Sequence, residues 1–115
     1  MNKSGYAGNL ISTTVVIPNG QTTSAAFDIG GFTLVGMILP SALTSTAMKI
    51  NASDSLAGTY VPVYGPTGTQ ISYTVAASRY VVIPPTDLQG VNFIELVAGS
   101  AEGADRTITL ILKGQ

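Results

Sequence analysis

Histidine, cysteine and tryptophan are absent from this chain, and only 10% of its 115 residues are charged. A typical soluble domain carries about a quarter Asp, Glu, Lys and Arg, so the groups that usually perform acid–base, nucleophilic and metal chemistry are scarce. Without cysteine there are no disulfides, no thiolate ligands and no redox switch. Without histidine the chain lacks the side chain that titrates nearest neutral pH and most often binds metal. Long apolar runs are missing too. The most apolar window, residues 31–43, is interrupted by Gly36 and Pro40 and is far shorter than a membrane span. Thr, Ser, Ala, Gly, Val and Ile take the place of what is missing. That composition suits a β-rich building block or binding module rather than a catalyst.

The length corresponds to one domain that can bury a self-sufficient core. Residues 10–115 are assigned to that domain. Residues 1–9 (M-N-K-S-G-Y-A-G-N) are polar, lack the apolar stretch of a signal peptide, and are expected to form a flexible arm that orders on docking. The formal net charge is −1, and Lys3, Lys49, Arg79, Arg106 and Lys113 are scattered. A nucleic-acid partner is therefore not expected, because phosphate binding needs concentrated basic charge. A membrane partner is not expected either. Weak colloidal repulsion combined with 45% apolar residues favours a surface covered by partners, so a homo-oligomer or lattice member is expected.

Short β-type runs recur between turn residues. Residues 10–17 are β-branched and stop at Pro18-Asn19-Gly20. Residues 21–29 read as a polar strand ending at Gly30-Gly31. Residues 32–39 are apolar on both alternating faces, which places them centrally. In residues 46–52, Met48, Ile50 and Ala52 face one way and Lys49 and Asn51 the other. Residues 59–64 and 69–75 read as a hairpin about Gly65-Pro66-Thr67-Gly68, with Pro62 putting its first strand at an edge. Further strands are expected at 79–83, 91–97 and 106–113, with a single helical turn at 86–90. Eight or nine short strands predict an all-β fold, an antiparallel β-sandwich with jelly-roll or Greek-key connections.

Few residues could carry chemistry. Asp28, Asp54, Asp87 and Asp105 fall near strand ends or in loops, where Asp accepts backbone hydrogen bonds. Glu95 lies mid-strand among apolar neighbours, and burying it alone would be costly. A structural ion pair with Arg79 or Arg106 is therefore expected. The segment 51–55 offers oxygen ligands but lacks the alternating acidic pattern of a calcium loop, so neither metal nor cofactor is expected. Gly30-Gly31 leads into a strand rather than a helix and makes no phosphate cradle. Asn2 and Asn51 open glycosylation-type triplets, which matter only on a secretory route. Among the tyrosines, Tyr73 lies on an apolar strand face and suits the core. Tyr60 and Tyr64 share a face of an edge strand, and Tyr6 sits on the leader, so these three are the candidate partner contacts.

Several strings are familiar as a set: I-P-N-G-Q-T-T-S-A-A-F-D-I-G-G-F-T-L-V-G, then T-Y-V-P-V-Y, A-S-R-Y-V-V-I-P-P and F-I-E-L-V-A-G-S-A-E. Across residues 12–113 the chain resembles small β-sandwich structural proteins of tailed bacteriophages. Some of these are similar to capsid decoration, or cement, proteins that sit as trimers on the head and clamp neighbouring capsid subunits. The resemblance implies a virion structural protein that binds the major capsid protein on the head surface as a homo-oligomer, a trimer in those relatives. It assigns no catalytic residue. The alternative is a carbohydrate-binding module of a tail or adsorption apparatus, with Tyr60 and Tyr64 as a stacking platform.

Overall fold

A computed structural model of the chain describes residues 10–114. The proposed arm, with Tyr6, lies outside the described residues. Period-2 alternation becomes nine strands: β1 (Leu10–Ile17), β2 (Phe27–Asp28), β3 (Phe32–Ile38), β4 (Ala47–Ser53), β5 (Val61–Pro62), β6 (Ser72–Thr74), β7 (Tyr80–Val82), β8 (Phe93–Ala98) and β9 (Arg106–Gly114). They form two antiparallel sheets. One has the order β1-β9-β3-β7 and the other β2-β8-β4-β5, with β6 also paired to β4. The fold is an all-β sandwich.

The inner faces make the core. One sheet contributes Val15, Ile17, Leu34, Met37, Ile108, Leu110 and Leu112; the other contributes Met48, Ile50, Ile94, Leu96 and Ala98. Burying one such large aliphatic chain stabilises by about 1.5–3 kcal/mol. Loop residues Ile29, Leu39, Leu43, Val75, Ile83 and Leu88 close the ends. Because the strand period is 2, residues between the core positions look outward, and this decides what each outer surface displays.

Three local readings change. The expected strand 21–29 contracts to β2 plus a single bridge from Thr23 to Val97. The helical turn expected at 86–90 is instead two successive turns, with Asp87 N–H donating to Pro84 O and Val91 N–H to Leu88 O. The hairpin 59–75 keeps its tip, where Gly65 N–H donates to Thr69 O and Gly68, at φ +88°, supplies the left-handed residue. Its arms then part along one edge of β4. β5 pairs with Asn51 and Ala52, and β6 pairs with Ala47 to Lys49. Strand β3 is internal as expected, with a bulge between Leu34 and Gly36.

Candidate interaction surfaces

The best-satisfied charge among the described residues is Glu102, which is 2% exposed in the loop between β8 and β9. Its carboxylate accepts hydrogen bonds from Thr44 N–H (3.0 Å), Thr44 Oγ1 (3.1 Å), Ser45 N–H (2.9 Å), Ser45 Oγ (2.6 Å) and Arg106 Nε (2.9 Å). Burial by itself would raise its pKa. The bonds from Ser45, Arg106 and Thr44 outweigh that and hold the group at about 2. It clamps the β3–β4 loop to the β8–β9 loop and to the start of β9.

This clamp corrects the expected pairing of Glu95. Arg106 is taken by Glu102, the ion pair formed among the described residues. Glu95 is half-buried on the outer face of β8, in register with Asn51, whose Nδ2 lies 3.4 Å from Oε1. The expectation counted apolar neighbours along the chain, but Ile94 and Leu96 point inward while Glu95 points out. Arg79 and Arg106 are therefore not its partners. Glu102 is one of six carboxylates in the sequence, but nothing there assigns it a role, because S-A-E-G-A-D reads as an ordinary loop and the Thr44 and Ser45 donors lie 58 and 57 residues away. Its spacing of four residues from Arg106 was the single local hint.

Other carboxylates accept hydrogen bonds as turn chemistry suggests. Asp28 Oδ1 takes Gly30 N–H at 2.7 Å, and Asp105 Oδ1 takes Asn19 N–H at 2.8 Å. Asp87 Oδ2 takes the Tyr73 hydroxyl at 3.0 Å. Burial and then that bond push the Tyr73 phenol well above its ordinary range. Among the described residues no three His, Cys, Asp or Glu side chains gather closely enough for a metal ion, and no helix is long and apolar enough to cross a membrane.

The candidate contact tyrosines are separated by what they touch. The Tyr60 hydroxyl donates to Leu56 O at 2.8 Å, and its pKa is raised by burial, then by Glu95 and Asp28. Tyr64 bridges to Gln70 and is 58% exposed. Beside Tyr60 an open cleft of about 670 Å³ is lined by Ser53, Asp54, Thr59, Asn92 and Phe93, among others.

The other sheet shows a different surface. Two cross-strand rows run over its outer face: Val82–Gly36–Ile111–Ser12 and Tyr80–Ile38–Thr109–Thr14. The Tyr80 ring lies over Gly36, where a Cβ would come within 2.9 Å of it. Val82 is 71% and Tyr80 55% exposed, with Ile38 and Val16 also open. Lys113 is the one charged residue whose alternation places it on this face among the described strands. Tyr80 belongs to the central cluster of tyrosines with Tyr60, Tyr64 and Tyr73, but a short strand ending in Pro-Pro gives no sign that its solvated face holds Tyr80 and Val82.

The described residues thus form a β-sandwich of two antiparallel sheets, one of which has an outer face with Lys113 as its charged residue. Among solved structures, the SPBc2 prophage-derived protein YomS superposes with a TM-score of 0.61 at 18% identity, covering 98% of this chain and 100% of that one. A chain of the cyanophage Pam1 capsid asymmetric unit aligns over 98% of this chain and 89% of its own at 13% identity, but its TM-score of 0.35 is too low to define a shared fold. No family model matches the chain, and no curated protein matches it in sequence.

Proposed function

We propose that this chain is a bacteriophage virion structural protein, a capsid decoration protein that binds the assembled major capsid protein on the head surface as a homo-oligomer. The observation that carries this reading is the exposed, nearly uncharged outer face of β1, β9, β3 and β7, with Ile38, Tyr80 and Val82 at its β3–β7 side. Large apolar groups on such a face suit a protein partner. Two further points support it. The fold is shared with a prophage-derived protein. The strand orders β1-β9-β3-β7 and β2-β8-β4-β5 are also those of a jelly roll if β5 and β6 count as one interrupted strand, and viral capsid domains use that architecture.

On this reading the protein is not an enzyme and needs no cofactor. It acts by mass action: a ligand that binds the closed shell and not its dissociated subunits stabilises the shell by RT ln(1 + [L]/Kd) per site, about 2.7 kcal/mol at a hundredfold excess over Kd. Mixed with expanded, undecorated heads, the protein is expected to bind saturably and raise the temperature at which they rupture. Val82→Asp should weaken binding at least about tenfold, a cost near 1.4 kcal/mol, without changing the melting temperature of the free protein. Heads that bind no protein overturn the proposal.

The cleft beside Tyr60 favours a second reading, a carbohydrate-binding module of a tail or adsorption apparatus. Polar Asp54, Thr59 and Asn92 next to Phe93 offer hydrogen bonds beside an aromatic face. On a glycan array this version expects a signal that Phe93→Ala weakens. A blank array, or a signal indifferent to that substitution, counts against it.

A further inference from the structure

Sheet edges expose unpaired backbone donors and acceptors, and natural proteins blunt them with short strands, proline, charge or bulges. Most edges here are blunted in this way. β7 has 3 residues, β2 has 2, β6 has 3, and β5 has 2 and contains Pro62. β1 is the exception. It is 8 residues long (L-I-S-T-T-V-V-I), carries no charge and no proline, and pairs with β9 without a register shift from Leu10 to Ile17. Among the described residues no strand pairs with its other edge.

The N-terminal half of β1 is open on both sides as well. Leu10 is 62% exposed on the outer face. Ile11 shares the inward row of Val15 and Ile17 yet is 44% exposed. A core position left this open is what an added strand would cover.

We infer that β1 pairs antiparallel with β1 of a second copy of this chain, about a two-fold axis through Thr13, joining two four-stranded sheets into one of eight. The sequence is its own complement in that register. Keeping both sandwiches on the same side requires residues opposite each other to share a face, so their numbers must sum to an even value. Centred on Thr13, Ile11 faces Val15 of the second copy and Leu10 faces Val16, while Ser12 faces Thr14 and Thr13 faces its own equivalent. Apolar groups thus meet apolar groups and hydroxyls meet hydroxyls on both faces. Centring on Thr14 would set Ser12 against Val16 and leave Leu10 without a strand partner. A strand with no charge also places no like charges across the axis. The inference stands apart from any role in a virion, since it concerns the free protein.

The test uses the full chain and its oligomeric mass. The wild type is expected to sediment at twice 11.8 kDa. In the Thr13 register residue 12 opposes residue 14, so Ser12→Lys/Thr14→Lys sets lysine against lysine, and Ser12→Glu/Thr14→Glu sets glutamate against glutamate. Each double variant alone should dissociate at least about tenfold more readily while keeping the wild-type strand signal in circular dichroism. Mixed one to one, the two should recover a dimer. A variant that merely misfolds cannot produce that recovery. A wild type that stays monomeric, a mass of three copies, or variants that fail to recover on mixing would each overturn the pairing. Head binding is measured separately, so the failure of one proposal is distinct from the failure of the other.

Discussion

Replacing Glu102 with alanine is expected to cost about 3–5 kcal/mol of folding stability, the range for breaking a buried ion pair by removing one partner. The loss is large because the carboxylate is inaccessible and receives five hydrogen bonds. Removing it leaves the Thr44 and Ser45 N–H groups and the Arg106 guanidinium without their acceptor in a place water does not readily refill. For a domain of this size the melting temperature should fall by roughly 12–20 °C. A fall of under about 3 °C in a thermal scan at neutral pH would show that the loops hold without the clamp.

The same group sets a pH dependence. Its pKa is about 2 in the folded protein against an ordinary value of 4.5. A depressed carboxylate contributes stability that is fully present above the unfolded value and is lost as pH falls through the folded one. The window is thus about pH 4.5 down to about 2, and the amount lost is about 3 kcal/mol at 1.36 kcal/mol per unit. Urea midpoints for the wild type should drop across that window more steeply than those of Glu102→Gln, which has no carboxylate to protonate at this position. Parallel pH profiles for the two proteins would refute this account of the clamp.

The second large effect lies in the core. Leu110 is fully buried on β9, which lies between β1 and β3, and it is in register with Thr13 on one side and Met37 on the other. Leu110→Ala should destabilise by about 2–5 kcal/mol, the lost transfer energy plus a cavity that strands paired on both sides cannot collapse to fill. Thr107→Ala, on the exposed face of the same strand, should stay within about 0.5 kcal/mol. Denaturant unfolding of both variants checks the contrast. Equal losses would mean that the inward and outward faces of β9 are not as assigned.

Much of the architecture was legible beforehand. Alternation in residues 46–52 and 106–113, together with Asn19-Gly20 and Gly65-Pro66-Thr67-Gly68, placed strands and turns because both signals depend only on neighbours a few residues apart. The polar run 21–29 was harder. Its pairing with β8 is confined to a bridge and two residues, and that depends on what β8 offers rather than on its own side chains. The interaction surfaces were barely legible. Tyr60 and Tyr64 are legible as aromatic residues sharing one face of a strand that Pro62 puts at an edge, whereas the more exposed Val82 and the Tyr80–Gly36 contact arise from the register of β7 on β3.

By itself the sequence determined an all-β chain with punctuated strands, a core drawn from alternating aliphatic residues, and a low content of ionisable groups. These follow from the strand period, turn sterics and residue inventory, which are local or compositional. The tertiary structure alone decided that Arg106 meets Glu102 and not Glu95, that Ile38, Tyr80 and Val82 share an open face, and that β1 ends a sheet with nothing described beyond it. The open face and the β1 edge rest on strand pairing between segments far apart in the chain, and although Arg106 is only four residues from Glu102, the clamp is completed by Thr44 and Ser45, 58 and 57 residues away.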